Sequence, residues 1–229
     1  MSKSIFISGT GTDVGKTYVS GLIVKKLRGL GINAGYYKPA LSGAEYLNDK
    51  PMPGDCFRVA ERAGLEVDPD KLTSYMFRTP VSPHLAALIE GRTIEPDVIS
   101  GDFAKFRKKY EYLTVEGCGG IVCPFRYDEK TVMQTDIIKL LDLDLLIVAP
   151  SGLGTINSTV ITVFYAKEAD LHVRGIILNK YDDNDFIHRD NKKMIEEITK
   201  VPVTAFIHAN ASDIDIDQEL LCDLYKEDQ

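Results

Sequence analysis

Short apolar segments typical of β-strands alternate with segments of helical periodicity along most of the chain. This alternation constrains the fold strongly, because strands joined through helices pair in parallel and need helices over both faces of their sheet. The pattern predicts an α/β fold whose ligand sites lie in the loops at the carboxyl ends of the strands. The predicted strands are residues 4–8, 34–37, 113–116, 145–149, 173–178 and 203–206. The predicted helices are residues 17–30, 55–63, 84–90, 97–110, 136–141, 155–168 and 190–199.

A loop rich in glycine and threonine, residues 9–17, joins the first predicted strand to the first predicted helix. Its backbone N–H groups can surround phosphate oxygens, and the helix N-terminus adds partial positive charge. Lys16 can reach the β- and γ-phosphates of a nucleotide, and the Thr17 hydroxyl can bind Mg²⁺. Five residues separate Gly9 from Gly15, where the strict phosphate-loop pattern has four. The Gly-Lys-Thr triplet at a strand–helix junction nevertheless favours a phosphate-binding loop over an ordinary glycine-rich turn. We therefore predict a P-loop NTPase-like fold. The nucleotide-binding candidates in the loop are Gly11, Thr12, Asp13, Val14, Gly15, Lys16 and Thr17.

The composition of the chain disfavours nucleic acid and membranes as partners. The chain has 229 residues, with 27 Lys and Arg against 34 Asp and Glu, for a net charge of −7. This balance disfavours binding to nucleic acid by neutralising phosphates. Apolar runs such as residues 145–150 are far shorter than the roughly 20 residues that cross a bilayer. The chain begins almost directly with a strand, and its four cysteines are scattered. We expect one cytoplasmic domain over residues 1–229, without membrane or nucleic-acid partners.

Two carboxylates are candidates for binding Mg²⁺ beside a nucleotide, an ion that needs one or two such groups. Glu116 ends a predicted buried strand, where a carboxylate without a partner is rare, and glycines follow it. Asp55 opens the second predicted helix, so it is either a metal ligand or an acidic residue that stabilises a first helical turn. Asp13 is unusual beside phosphates and is predicted to face a cationic group of a substrate.

Lys38 stands at the end of the second predicted strand, which Pro39 is expected to stop. It is either a solvated loop lysine or a second cation beside a transferring phosphoryl group, where fixed positive charge lowers the barrier. Ser42, four residues further on, can hydrogen-bond the same ligand.

Asn179 follows the strand predicted at residues 173–178. Its amide offers a donor and an acceptor suited to a purine edge. The Asn-Lys-x-Asp sequence there is also similar to the guanine-reading motif of GTPases. A purine contact and a plain polar loop both remain possible interpretations.

Several of these segments together resemble the dethiobiotin synthetases in order and spacing over nearly the whole chain. They are residues 9–17, Lys38 and Pro39 with Ser42, Asp55, residues 79–84, residues 115–120 and residues 153–157. The resemblance implies that the chain uses ATP, Mg²⁺ and CO₂ to close 7,8-diaminononanoate into the cyclic urea of dethiobiotin. It also implies a homodimer in biotin biosynthesis, in which the loop around residues 153–157 of the partner holds the substrate carboxylate.

The resemblance further assigns roles by residue. Thr17, Asp55 and Glu116 would hold Mg²⁺, and Lys16, Lys38 and Thr12 would be catalytic, the two lysines stabilising phosphates and carbamate. The substrate candidates are Thr12, Asp13 and Ser42 on the diamine side and Gly154, Thr155 and Asn157 on the carboxylate side, and Asn179 would touch the purine.

Three other functions are alternatives to the synthesis of dethiobiotin. The first is a partner-regulated switch or partitioning ATPase, whose members carry an extra lysine early in the loop where this chain has Gly11. The second is an inactive nucleotide-binding module. The third, a cobalamin-type amidase, is expected to need a downstream glutamine-hydrolysing domain, for which the sequence ending at Gln229 has no room.

Overall fold

The structure is a computed structural model that describes residues 2–47 and 50–227. The strands are β1 (Lys3–Gly9), β2 (Ala34–Leu41), β3 (Glu45–Leu47), β4 (Lys50–Met52), β5 (Thr73–Met76), β6 (Tyr112–Glu116), β7 (Pro124–Tyr127), β8 (Thr131–Met133), β9 (Leu145–Pro150), β10 (Val173–Tyr181), β11 (Val203–His208) and β12 (Lys226–Glu227). The helices are α1 (Lys16–Gly29), α2 (Gly54–Ala63), α3 (Pro83–Ile89), α4 (Pro96–Lys109), α5 (Gln134–Leu140), α6 (Thr155–Glu168), α7 (Phe186–Thr199) and α8 (Gln218–Asp223), with a 3-10 helix at Pro69–Leu72. Within the described ranges, every helix is too short or too polar to cross a membrane.

The central sheet has the strand order β11-β10-β9-β1-β6-β2-β5, and these neighbours pair in parallel. β1 lies between β9 and β6, strands that come much later in the chain. The carboxyl ends of β1, β6 and β2 therefore meet at one edge, which is where a parallel α/β sheet binds ligands.

The core divides into two layers because successive side chains of a strand point to opposite faces. In β1, Ile5 and Ile7 pack with one buried cluster and Phe6 with the other. Helices α1, α2 and α8 supply apolar side chains to the layer of Ile5 and Ile7. Helices α3 to α7 cover the opposite face. This arrangement confirms the predicted parallel sheet with helices on both faces.

The C-terminal strand β12 completes the sheet at the start of β1. β9 pairs with β1 only from Phe6 onward, which leaves one side of Lys3 and Ser4 without a strand partner. β12 runs antiparallel along that side, opposite Lys3 and Ser4. Backbone hydrogen-bonding groups in a buried sheet need partners, and β12 supplies to Lys3 and Ser4 the pairing that β9 does not. The prediction that residues 203–206 form the last strand is therefore wrong.

The prediction that Pro39 stops the second strand is also wrong. β2 continues to Leu41 because it changes partner: it pairs with β6 up to Tyr37 and with β5 from Lys38 onward. Proline is tolerated where a strand does not donate to both neighbours. Lys38 therefore lies inside a strand and is 3 % exposed, which excludes the interpretation of a solvated loop lysine.

Two helices differ from their predicted limits or faces. α7 begins at Phe186, four residues before the prediction, because the Asp185 carboxylate caps it by accepting a hydrogen bond from the Ile187 amide. The periodicity of residues 97–110 also predicts an apolar stripe of Val98, Phe103 and Phe106. In α4 Val98 is exposed, and Ile99 takes the buried position instead.

Candidate active site

A cavity of about 440 Å³ opens where the chain leaves β1, β2 and β6. It brings together nine of the residues selected from sequence: Thr12, Asp13, Gly15, Lys16, Thr17, Lys38, Ser42, Asp55 and Glu116. It is also lined by Tyr18, Arg58, Arg62, Cys118 and Gly119. Most of its charged groups are therefore contributed by the phosphate loop, β2, α2 and the end of β6.

The loop between β1 and α1 has the backbone conformation of an anion-binding turn. Gly15 precedes α1 with φ of 101°, a left-handed conformation that favours glycine. A Cβ there would also lie 2.1 Å from the Asn179 Nδ2 atom. α1 begins at Lys16, so the amides of its first turn have no partner within the helix. The helix N-terminus and the loop can together bind phosphate oxygens.

Lys16 folds back over this loop, and its Nζ donates a hydrogen bond of 2.9 Å to the Gly11 carbonyl. Burial lowers the pKa of Lys16, and the nearby positive charge of Lys38 lowers it further. An incoming phosphate would remove both effects by supplying negative charge. The side chain is thus poised to bind an anion.

The carboxylate of Glu116 is the centre of a buried polar cluster and is 0 % exposed. Its Oε1 accepts hydrogen bonds from the Thr17 hydroxyl at 2.8 Å and from Lys38 Nζ at 2.8 Å. Its Oε2 accepts one from the Tyr36 hydroxyl at 3.0 Å. Lys38 Nζ also lies 3.0 Å from Asp55 Oδ2. Two of the three predicted metal ligands, Asp55 and Glu116, therefore contact the ammonium of Lys38, and the third, Thr17, is bound to Glu116.

The charges in this cluster stabilise one another. Burial alone would lower the pKa of Lys38, but the charges of Glu116 and Asp55 outweigh it and hold this pKa well above its ordinary value. Burial would likewise raise the pKa of Asp55, but the charge and hydrogen bond of Lys38 reverse the effect and lower it. Both groups stay charged at neutral pH. Asp55 lies in the first turn of α2, where its charge also favours the helix N-terminus, so the structure is compatible with both interpretations of this residue.

Residues after β6 link the cavity to the phosphate loop. The Gln134 Oε1 atom accepts a hydrogen bond of 2.7 Å from the Cys118 amide, and its Nε2 donates to Ser8 Oγ and to the Gly120 carbonyl. Gly117 must lack a side chain, since a Cβ would meet Gln134 Oε1 at 2.4 Å. Burial raises the pKa of the Cys118 thiol to about 11, so it is not an activated nucleophile.

Asn179 lies beside the phosphate loop but does not line the cavity. Its Nδ2 donates 2.9 Å to the Val14 carbonyl, and its Oδ1 accepts from the Lys180 amide. The buried amide therefore braces the loop. Gly11 and Val14 are likewise outside the cavity lining.

The predicted carboxylate-binding segment lies apart from the cavity within one chain. Gly154 precedes α6, and the Thr155 hydroxyl is buried against that of Thr159 at 3.3 Å. Asn191 Nδ2 supports this turn by donating to the carbonyls of Ser151 and Gly152. Gly154, Thr155 and Asn157 thus do not line the cavity of their own chain.

Several residues in or beneath the cavity were not selected from sequence. Tyr36 resembles any aromatic residue of an apolar strand, so no local signal distinguishes it. Arg58 and Arg62 lie one helical turn apart, and Arg58 follows Asp55 by three positions, so their shared face of α2 could have been read from spacing. The Arg62 guanidinium lies 4.1 Å from the centre of the Tyr18 ring.

The donor set is compatible with Mg²⁺, which prefers carboxylate and hydroxyl oxygens. Among residues 2–47 and 50–227, no group of three or more His, Cys, Asp and Glu side chains could hold a metal. Two carboxylates and one hydroxyl fit an ion that takes its remaining ligands from phosphates and water.

Solved structures with this fold include a ParA family ATPase and a MinD cell division protein. A ParA family ATPase from Chlorobium tepidum TLS has a TM-score of 0.55 at 16 % identity, covering 97 % of this chain and 90 % of that one. The MinD cell division protein of Aquifex aeolicus has a TM-score of 0.54 at 16 % identity, covering 90 % of this chain and 82 % of that one. At this identity the likeness shows the P-loop fold alone.

Relatives in sequence are much closer. A family model described as an AAA domain matches residues 3–212. The protein named ATP-dependent dethiobiotin synthetase BioD from Clostridium botulinum (strain Eklund 17B / Type B) is 47 % identical over 98 % of this chain and 99 % of its own. The protein of the same name from Clostridium novyi (strain NT) is 51 % identical over 90 % of this chain and 87 % of its own. The chain belongs to the family of ATP-dependent dethiobiotin synthetases.

Proposed function

We propose that this chain carboxylates 7,8-diaminononanoate with CO₂, phosphorylates the carbamate with ATP and closes the cyclic urea. ATP-dependent synthesis of dethiobiotin is the activity that names its family. The observation that carries the finer proposal is the convergence of two lysines, two carboxylates and a hydroxyl on one cavity beside the phosphate loop.

The chemistry divides into three balanced steps. One substrate amine attacks CO₂ and loses a proton, giving a carbamate. A carbamate oxygen then takes the γ-phosphoryl group and ADP leaves. The second amine attacks the carbonyl carbon of this mixed anhydride, phosphate leaves with the electron pair of the C–O bond, and the amine gives up a proton to the departing phosphate or to water. These steps need positioning and charge stabilisation more than a protein nucleophile.

Lys16 and Lys38 supply that stabilisation as proposed catalytic residues. Lys16 would bind the β- and γ-phosphates, and Lys38 would contact the carbamate and the transferring group, where negative charge moves. Thr12, which is exposed at the cavity rim, would hydrogen-bond the same oxygens. Asp13 and Ser42 would bind the diamine, because a carboxylate favours an ammonium neighbour.

Thr17, Asp55 and Glu116 would hold Mg²⁺. When bound, the ion supplies positive charge to the phosphates. Gly11 to Gly15 would surround the phosphates, and Asn179 would keep the loop in place beside the purine. We also propose that the enzyme is a cytoplasmic homodimer, in which Gly154, Thr155 and Asn157 of one chain bind the carboxylate of the substrate in the other.

The decisive experiment measures phosphate release with ATP, Mg²⁺ and bicarbonate, with and without 7,8-diaminononanoate. We expect release only with the diamine, and loss of at least about 10³-fold in kcat for Lys16→Ala, in line with the removal of a transition-state charge. Glu116→Gln keeps the size of the buried side chain and should also abolish turnover. Circular dichroism would verify that both variants fold. Equal release with and without the diamine would contradict the proposal.

A partner-regulated partitioning ATPase is not favoured, because the relatives at 45–51 % identity carry the synthetase name and the ParA family ATPase shares only the fold. Stimulation of ATP hydrolysis by a partner protein but not by the diamine would restore that function. ATP binding without phosphate release under any substrate would indicate an inactive module.

A further inference from the structure

Lys38 occupies the place where the two predicted metal-binding carboxylates meet. Its Nζ lies 2.8 Å from Glu116 Oε1, 3.0 Å from Asp55 Oδ2 and 3.2 Å from the Gly117 carbonyl. An ammonium has three hydrogens, and three oxygens surround this one at hydrogen-bond distance. The side chain is 4 % exposed, so this is a fully satisfied buried cation.

The same lone pairs are those that a divalent cation would use. Glu116 Oε1 accepts from both Lys38 and the Thr17 hydroxyl, and Asp55 Oδ2 faces the same ammonium. A metal ion and an ammonium cannot both bind at one carboxylate oxygen in the same direction, because both are positive and both need its electrons. A metal placed between Glu116 Oε1 and Asp55 Oδ2 would therefore take the position of the Lys38 ammonium.

We propose that Lys38 is an exchangeable internal cation, which neutralises Asp55 and Glu116 until a divalent metal arrives with the nucleotide and displaces the ammonium toward the phosphates. This inference rests on the proposed function, since it takes Thr17, Asp55 and Glu116 as the metal ligands. It adds an order of events: the catalytic ammonium is released only when the metal–nucleotide complex is in place.

The surroundings of the cluster suit such an exchange. Without a counter-ion, the fully buried carboxylate of Glu116 would be strongly destabilised, so an ammonium in the metal-free protein and a metal in the complex keep it paired throughout. Tyr36 donates to the other oxygen, Oε2, and holds the carboxylate while its Oε1 partner changes. The β2 backbone at Lys38 is fixed by pairing with β5, but the four-carbon side chain can rotate alone.

Direct metal binding tests the proposal independently of turnover. Mn²⁺ binding is measured by calorimetry or electron paramagnetic resonance without nucleotide, in the wild type and in Lys38→Met. Removing the competing ammonium should tighten Mn²⁺ binding by at least about tenfold, the scale of effects next to a metal. Lys38→Arg keeps the charge in place and should show no gain.

Arg58→Gln is the matched control for charge. Arg58 lines the same cavity and follows Asp55 by three positions on α2, but it is exposed. Its removal changes the net charge equally without freeing the carboxylates, so its gain should be much smaller. No gain in Lys38→Met, or an equal gain in Arg58→Gln, would overturn the exchange.

A crystal structure of the wild-type protein with Mn²⁺ and a non-hydrolysable ATP analogue gives a second measurement that no folding defect can obscure. Lys38 Nζ should lie beyond hydrogen-bond distance of Asp55 and Glu116. If Mn²⁺ binds at Thr17, Asp55 and Glu116 while Lys38 keeps both contacts, the exchange is wrong and the proposed function stands. If Mn²⁺ binds nowhere near these residues even with nucleotide, the proposed metal site fails as well.

Discussion

At the scale of single residues, the chemistry of the site depends on pairs that the sequence does not reveal. Lys38 and Glu116 are 78 positions apart and meet only because β2 and β6 are neighbours in the sheet. Each residue could be selected from its place at the end of a predicted apolar strand, but their ion pair requires the strand order. Tyr36 could not be selected at all, because its hydroxyl has a role only once Glu116 is known to lie beside it.

The pKa of Lys16 gives a prediction at this scale. Burial, together with the charge of Lys38, lowers it below the ordinary lysine value of 10.5. As pH rises, Lys16 therefore loses its proton before an exposed lysine does, and only the protonated form attracts phosphate. We expect ATP affinity, measured by calorimetry over the alkaline range, to begin to fall at a lower pH than an ordinary lysine would give.

Lys16→Arg is the control for this prediction, since its guanidinium keeps its proton over the whole range. Its affinity for ATP should be lower overall but should change much less with pH. Parallel pH profiles for the wild type and Lys16→Arg would show that another group titrates.

At the scale of elements, periodicity predicted the long helices and the buried parallel strands but not the short or late strands. β5, β7, β8 and β12 have two to four residues each, too few for an alternating pattern to emerge. The second strand was predicted too short because Pro39 is a strong local stop signal. In the structure, the change of pairing partner overrides this signal and β2 continues to Leu41. The phosphate loop was predicted correctly because its signal is local.

Packing between β2 and the end of α4 yields a stability prediction. A Cβ on Gly35 would lie 2.3 Å from the Tyr110 ring, which is itself buried. Gly35→Ala should therefore destabilise the protein by about 1–3 kcal/mol through overpacking, as measured by urea denaturation. Gly101→Ala, in the middle of α4 with nothing within 4 Å, should instead stabilise by about 0.5–1 kcal/mol. Equal midpoints for the two variants would contradict this account.

At the scale of the whole molecule, the C-terminal segment holds the first residues of β1 in place. Tyr225 is buried, its hydroxyl lies 2.6 Å from Thr114 Oγ1 and its ring packs against Tyr112 at 5.1 Å. β12 follows at once and pairs with the first residues of β1. Contacts between residues more than 100 positions apart leave no trace in local sequence patterns. The packing of Tyr225 and the pairing of β12 with β1 could therefore not be predicted.

Tyr225→Ala should cost about 3–5 kcal/mol of unfolding free energy, because it leaves a cavity between β6 and the C-terminal segment. Glu227→Ala removes only an exposed ion pair with Lys3, at 2.8 Å, and should cost less than about 1 kcal/mol. Urea denaturation of both variants measures the difference. Losses of similar size would mean that the ion pair between Lys3 and Glu227 contributes as much as the buried ring, and would contradict this account.

Gln134 joins the backbone after β6 to the side chain of Ser8 in β1. Through this amide, β1, which leads into the phosphate loop, and the turn after β6 form a common scaffold. Neither can tilt without straining the other. In the proposed reaction, side chains such as Lys38 would therefore turn to accommodate successive intermediates, while this scaffold would keep the backbone around them in place.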